Sequence, residues 1–191
     1  LHATALNAVA WAFPLESKLN MHIELGSLAE NSQISLFVLE PEHVTQDYVS
    51  WLNDPQVNQY LECRFVTHTL ESTKNFVRAM LDSPDYLFLG IRSRLLDRHV
   101  GNVKIGPINK HHRVGEMGIM VGDKKVWGNG VGSLAINLMS KIARNHFMIR
   151  KITTGCYISN IRSQRAFEKN GFSIEAVLIK HSLLNGQPED C

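Results

Sequence analysis

Trp127-Gly128-Asn129-Gly130-Val131-Gly132-Ser133 is the stretch on which the reading of this chain turns. An apolar run from Val114 to Val121 precedes it. After it, Leu134, Leu138 and Ile142 recur every four residues beside Ala135, Met139 and Ala143. That change of period predicts a strand, a glycine-rich turn and an amphipathic helix packed on a sheet. Glycines at alternate positions leave backbone N–H groups unshielded, and the helix that begins there adds the positive end of its dipole. The turn therefore suits a phosphate or diphosphate. An ordinary tight strand–helix connection would use the same residues.

Three familiar nucleotide loops do not fit. A dinucleotide fingerprint needs Gly or Ala where this chain has Ser133, and an acidic residue about 20 positions on; Lys151, Ile152, Thr153 and Thr154 stand there instead. An ATPase phosphate loop needs Gly-Lys-Ser/Thr, and no lysine follows these glycines. A kinase-type glycine loop lacks its downstream lysine strand and catalytic loop.

Working outward, Ile34 to Leu39 alternates as a strand, and Pro41 opens a helical stretch through Tyr48, Trp51 and Leu52 that breaks at Asn53-Asp54-Pro55. A second helix is expected over Leu70 to Leu81, with Phe76, Met80 and Leu81 on its apolar side. Strands follow at Tyr86–Ser93, Val100–Ile108 and Val114–Val121, joined by short polar loops that suit antiparallel pairing. Beyond the long helix, Ile152, Thr154, Cys156 and Ile158 alternate as a strand. Asn160 to Asn170 reads as a helix stopped by Gly171, and Phe172 to Leu184 as a last strand. The layout is α+β, with helices packed on a mostly antiparallel twisted sheet.

Two segments together resemble the GNAT superfamily of acetyltransferases, whose fingerprint is Arg/Gln-x-x-Gly-x-Gly/Ala at the start of a long helix. Gly130 and Gly132 match, and Trp127 occupies the Arg/Gln position. That form is similar to the branch holding ribosomal-protein N-terminal and nucleotide-amino-sugar acetyltransferases. Downstream, Asn160, Ser163, Phe167, Lys169, Gly171 and Phe172 spell the family's Asn-x-x-Ser…Lys-x-Gly-Phe segment. With the element order, the likeness spans roughly residues 34–186. It implies a GNAT fold with helices on both sheet faces, and acetyl-CoA as co-substrate. Trp127, Gly128, Asn129, Gly130, Val131, Gly132 and Ser133 would then surround the CoA diphosphate. The main chain of Met120 and Val121 would bond the pantetheine arm, with Asn160 and Ser163 near it. Asn160 is also a natural helix N-cap, a role compatible with the first.

The chemistry asks for a base, because an amine acceptor is mostly protonated at neutral pH. Glu116 interrupts its apolar strand just before the glycine loop, and the resembling branch often carries a glutamate there. It is read as the general base, or else as a solvent-facing strand carboxylate. Many relatives protonate the leaving thiolate with a tyrosine where this chain has Phe167, so Tyr157 or a water is expected to substitute. Trp51 and Asn53 lie where the family walls its acceptor cleft. They would stack on and hydrogen-bond a sugar, or else serve as core residue and helix cap. The favoured acceptor is a small amine, on a nucleotide-linked amino sugar, with a protein N-terminus as the alternative. A non-catalytic acyl-CoA-binding module and a silent interaction protein are the competing readings.

The remaining properties narrow the setting. A net charge of +2 over 191 residues, with scattered basic residues, argues against nucleic-acid binding. No apolar run reaches the roughly 20 residues of a membrane span. Cys63, Cys156 and Cys191 make no disulfide framework, which suits a cytoplasmic location. Cys156 alternates with apolar strand residues, so it reads as structural rather than nucleophilic. His99, His111, His112 and His146 lack ligand spacing, so no metal is expected. Residues 1–30 are expected to be disordered or upstream of the domain, with Met21 a plausible start, and residues 34–191 to form one domain. Asn185-Gly186 signals a hairpin. The few residues after it, and Pro188 among them, predict a chain that stops short of a closing strand.

Overall fold

The computed structural model describes residues 30–191; the expectations for residues 1–29 lie outside the described residues. After β1 (Ile34–Val38) come α1 (Gln46–Asn53), α2 (Pro55–Asn58) and α3 (Leu70–Asp82). Each helix starts where a side chain can take an orphan N–H. Thr45 accepts from Tyr48 N, Asp54 from Gln56 N with Pro55 at the first position, and Thr69 from Ser72 N. Then follow β2 (Leu87–Ser93), β3 (Arg98–Ile105), β4 (Val114–Val121), α4 (Val131–Phe147), β5 (Lys151–Thr153) and α5 (Ile161–Glu168). A short hairpin closes the described chain, β6 (Ser182–Leu184) and β7 (Gln187–Glu189).

The main sheet has the order β1-β2-β3-β4-β5, antiparallel except for the parallel β4–β5 pair. Its faces carry separate cores. On one, Leu89, Ile91, Val103, Ile105 and Met117 pack under Ala135, Ile136, Met139 and Ile142 of α4. On the other, Met120 joins Tyr48, Val49 and Leu52 of α1 and Val77 of α3, with Phe37 and Phe88 against them. Helices thus cover both faces, as the α+β reading requires.

Strand register lays out the second face in rows, since residues directly opposite one another point to the same side. One row runs Phe37–Gly90–Asn102–Met120, the next Phe88–Lys104–Gly118. In the third, Gly106 N donates to Glu116 O at 2.8 Å, and Thr153 of β5 lies opposite Glu116.

Three elements depart from expectation. The strand expected over Ile152 to Ile158 pairs only through Thr153; beyond it the chain leaves β4 to reach α5. The strand expected over Phe172 to Leu184 is irregular until Ser182, with Ile174 and Ile179 about three-quarters exposed. The hairpin itself forms, with Asn185 and Gly186 at φ 51° and 77° as a primed turn demands. Pro188 sits within β7 opposite Leu183, between the flanking pairs Ser182–Glu189 and Leu184–Gln187. Such a position turns its missing N–H away from the partner strand, which is why proline is tolerated there. In α3 the buried residues are Thr73 and Val77, while Phe76 is half exposed and meets Phe88 edge-on.

His99 is wrapped by Phe37, Tyr48 and Trp51 at ring distances of 5.5, 5.4 and 5.2 Å. Its Nε2 lies 2.8 Å from Gly101 O and so carries the proton, while Nδ1 is buried without a partner. Burial pushes its pKa down. The unfolded chain therefore takes up a proton below about pH 6.5 that the folded chain refuses, and stability falls as pH drops through that value. Urea midpoints at pH 7.5 and 5.5 check this. The acid loss should shrink in His99→Gln, and an unchanged loss would assign it to other groups.

Candidate active site

β4 and β5 are paired only at Val114–Lys151, Gly115–Ile152 and Glu116–Thr153. Past that point β4 continues to Val121 with no neighbour on its β5 side. Bonds from Glu116 O to Gly106 N and from Val100 O to Gly122 N bracket the β3–β4 ladder. By the alternation of antiparallel pairs, Gly118 and Met120 direct their backbone groups at β3. Met117, Ile119 and Val121 direct theirs into the opening. The expectation for Met120 is corrected on this point: its main chain is used by the ladder, and its side chain is buried in the α1–α3 core. Val121 does face the opening, and its carbonyl accepts from Trp127 Nε1 at 2.8 Å.

That indole bond anchors the glycine loop to the end of β4. The ring is covered on another side by the Arg162 guanidinium, 5.4 Å from its centroid. Gly128 and Gly130 hold φ of 82° and 77°, a region where a side chain costs about 1–2 kcal/mol. A Cβ on either would meet nothing within 4 Å. Gly130 is the N-cap of α4 and offers no side-chain acceptor. The N–H groups of Val131, Gly132 and Ser133 therefore begin the helix without an intrahelical partner. A Cβ on Gly132 would touch Val121 and Ile119 at 3.6 and 3.9 Å, so this helix start lies beside the unpaired edge of β4. Asn129 N is taken by Val126 O. The Ser133 carbonyl and hydroxyl both accept from Asn170 Nδ2, each at 3.0 Å, which ties α4 to the end of α5.

Asn160 caps α5, its Oδ1 accepting from Ser163 N. Ser163 Oγ sits 3.3 Å from Cys156 Sγ. Burial pushes the Cys156 thiol pKa up, which leaves it a thiol and a poor nucleophile.

Glu116 is exposed, on the same β4 face as Gly118 and Met120. Gly118 has open space where its Cβ would be, so the carboxylate borders a notch in the sheet surface. Tyr157 is differently placed from expectation. Its hydroxyl donates to Glu62 Oε1 at 2.9 Å and accepts from Arg64 at 2.7 Å. The same guanidinium donates to Leu183 O, joining the β6–β7 hairpin to this loop. The hydroxyl is thus bonded on both sides, to a carboxylate and a guanidinium.

The two acceptor-side residues, Trp51 and Asn53, make contacts within the fold. Trp51 packs on His99 and Tyr48, and a Cβ on Gly122 would come within 2.2 Å of its ring. Asn53 spends its amide on Val49 O and His68 O, and accepts from His68 N, bridging α1 to the loop before α3. Trp51→Ala should cost about 3 kcal/mol, as large-to-small changes in packed cores do, and urea denaturation reads it directly. A loss under about 0.5 kcal/mol would show a surface residue instead. Sequence reasoning missed the inward backbones of Met117 and Ile119. Their signal is register, which one strand does not reveal without its neighbours.

No group of three or more metal-ligating side chains comes together among the described residues. Nor is any described helix long and apolar enough to cross a membrane.

The parting of β4 from β5 beside a glycine-opened helix accords with the acetyltransferase family that the two sequence segments resemble, and comparison with known proteins bears out that family. Residues 35–173 match the profile of the Acetyltransferase (GNAT) domain, and the chain belongs to that family and is an N-acetyltransferase. Its fold is similar to that of spermidine N-acetyltransferase from Vibrio cholerae, solved with CoA and spermine. The two share 20% identity over 84% of this chain and 92% of that one, with a TM-score of 0.74. The microcin C7 self-immunity acetyltransferase MccE, solved with acetyl-CoA and AMP, is 20% identical over 84% and 89%, with a TM-score of 0.71. RimL, a ribosomal L7/L12 alpha-N-protein acetyltransferase solved with CoA, is 16% identical over 84% and 90%, with a TM-score of 0.74.

Proposed function

We propose that this chain transfers an acetyl group from acetyl-CoA to the primary amine of a small molecule by direct attack, with Glu116 as general base. The observation that carries the reading is the parting of β4 from β5 after Glu116 and Thr153. It leaves unpaired backbone groups leading from the carboxylate to the uncapped start of α4. Acetyl-CoA supplies a thioester carbonyl, an electrophile that a neutral amine attacks. The N–H groups of Val131, Gly132 and Ser133, with the room left at Gly128 and Gly130, suit its diphosphate. The inward backbones of Met117 and Ile119 and the N–H of Val121 suit the amide-bearing arm. Asn160, whose Oδ1 is spent on the cap, keeps an amide donor for the same arm.

Glu116 then has one task. An alkylammonium near pKa 10 holds very little free amine at pH 7, and an exposed carboxylate, directly or through a water, accepts the proton as the nitrogen attacks. Tyr157 takes no part in that proton path; its hydroxyl orients Glu62, and the departing thiolate takes its proton from water.

The acceptor is less narrowly drawn. Spermine, AMP and a ribosomal protein accompany the three similar folds by name, so the fold alone does not choose among them. Trp51 and Asn53 make their bonds and ring contacts within the fold, so neither by itself favours an amino sugar. Thiol release from acetyl-CoA against amino sugars, amino-sugar phosphates, polyamines and peptide N-termini tests the reading. Release with a small amine and none with peptides supports it. Tight acetyl-CoA binding with no release from any amine would instead leave a CoA-binding module.

A further inference from the structure

We infer that Lys104 binds a carboxylate or phosphate of the acceptor, so that the preferred substrate is an amine carrying a nearby anionic group. This rests on the reading of Glu116 as the base. Lys104 stands directly opposite Gly118 in the β3–β4 register, on the face that carries Glu116 and Met120. It is therefore the diagonal neighbour of Glu116, about 7 Å away between Cβ atoms. The missing side chain at Gly118 leaves the space between them open.

The surroundings of the ammonium are unusual for a half-buried lysine. Its Nζ lies over the Tyr86 ring, 5.4 Å from the centroid, and among the described residues no carboxylate pairs with it. The neighbouring Lys110, by contrast, is bound to Asp85 at 2.9 Å. Phe88, opposite Lys104 on its other side, and Phe76 beyond it are apolar. The ring face holds the cation in position without neutralising it. Beside a notch that ends at the base, an uncompensated cation favours an anionic oxygen on the incoming molecule. It also offsets the repulsion that Glu116 would exert on such a substrate.

Paired acceptors differing only in that charge decide the matter: glucosamine 6-phosphate against glucosamine, and alanine against alaninamide, with spermidine as the polycationic contrast. One charge-assisted hydrogen bond corresponds to about a 10–100-fold preference in KM for the anionic member. Lys104→Gln should remove that preference, raising KM for the anionic members about 10–100-fold more than for the neutral ones, and Lys104→Arg should restore much of it. Preference for phosphate over carboxylate, or the reverse, identifies which oxygen group is read. Equal effects on charged and neutral acceptors, or spermidine as the best substrate, would overturn the inference. If no amine is acetylated, the transferase reading fails separately. Calorimetry of glucosamine 6-phosphate binding in the presence of CoA then still decides on Lys104: binding lost in Lys104→Gln supports its role, and binding absent or unchanged refutes it.

Discussion

Gly130→Asp is expected to bind acetyl-CoA about 10³-fold more weakly than the native chain, a difference of about 4 kcal/mol. Two effects combine. At φ 77° the backbone of Gly130 lies in a region where an ordinary side chain costs about 1–2 kcal/mol, so the loop shifts from the geometry that opens α4. The new carboxylate also enters the open space beside the N–H groups of Val131 to Ser133. There it competes for those donors as a built-in anion and repels a diphosphate; interactions at helix starts of this kind reach about 2 kcal/mol when partly buried. Gly130→Ala carries the strain without the charge and should lose far less. Titration calorimetry on both variants, with circular dichroism to show that each folds, separates the terms. Native affinity in a folded Gly130→Asp protein would remove the loop from CoA binding.

Glu116→Gln lowers turnover by about 10²–10⁴-fold, the usual consequence of losing a general base, and leaves acetyl-CoA affinity nearly as it was. The substitution keeps size and hydrogen-bonding shape, and Glu116 is exposed on β4. Stability should therefore stay within about 0.5 kcal/mol, and a loss of rate is not a loss of fold. The variant should also respond more steeply to rising pH, because the free amine must then come from solution rather than from a proton passed to the enzyme. Steady-state rates from pH 6 to 9 read both effects. Turnover at the native rate would make Glu116 a solvent-facing strand residue and send the search for a base to another carboxylate.

Much of this architecture is local and so was readable along the chain. The four-residue period after Gly132 became α4, with Ala135, Leu138, Met139, Ile142 and Ala143 buried. Alternation became β1 to β4 within three residues of the expected ends. The Asn185-Gly186 turn formed because its two left-handed residues are a property of the dipeptide. Failures came where a segment's state depends on a neighbour. Phe172 to Leu184 has a strand's composition, but before the β6–β7 hairpin only Leu178 makes a reciprocal backbone pair, with Cys191. The run after Thr153 alternates, yet leaves the sheet.

The division is clearest at the candidate site. By itself the sequence determined the glycine loop, the helix that opens on it and the carboxylate in the preceding strand, because backbone freedom, helix period and a charge in an apolar run are properties of adjacent residues. Only the tertiary structure decided what Trp51, Asn53 and Tyr157 do. A tryptophan, an amide and a phenol are equally suited to a substrate or to the fold. The choice is made by what lies across from them: His99 and Gly122, His68, and Glu62 with Arg64. The same holds for Met120 and Lys104. Which way a strand's backbone faces, and which side chains share its surface, follows from pairing with β3, and pairing is a relation between segments distant in the chain.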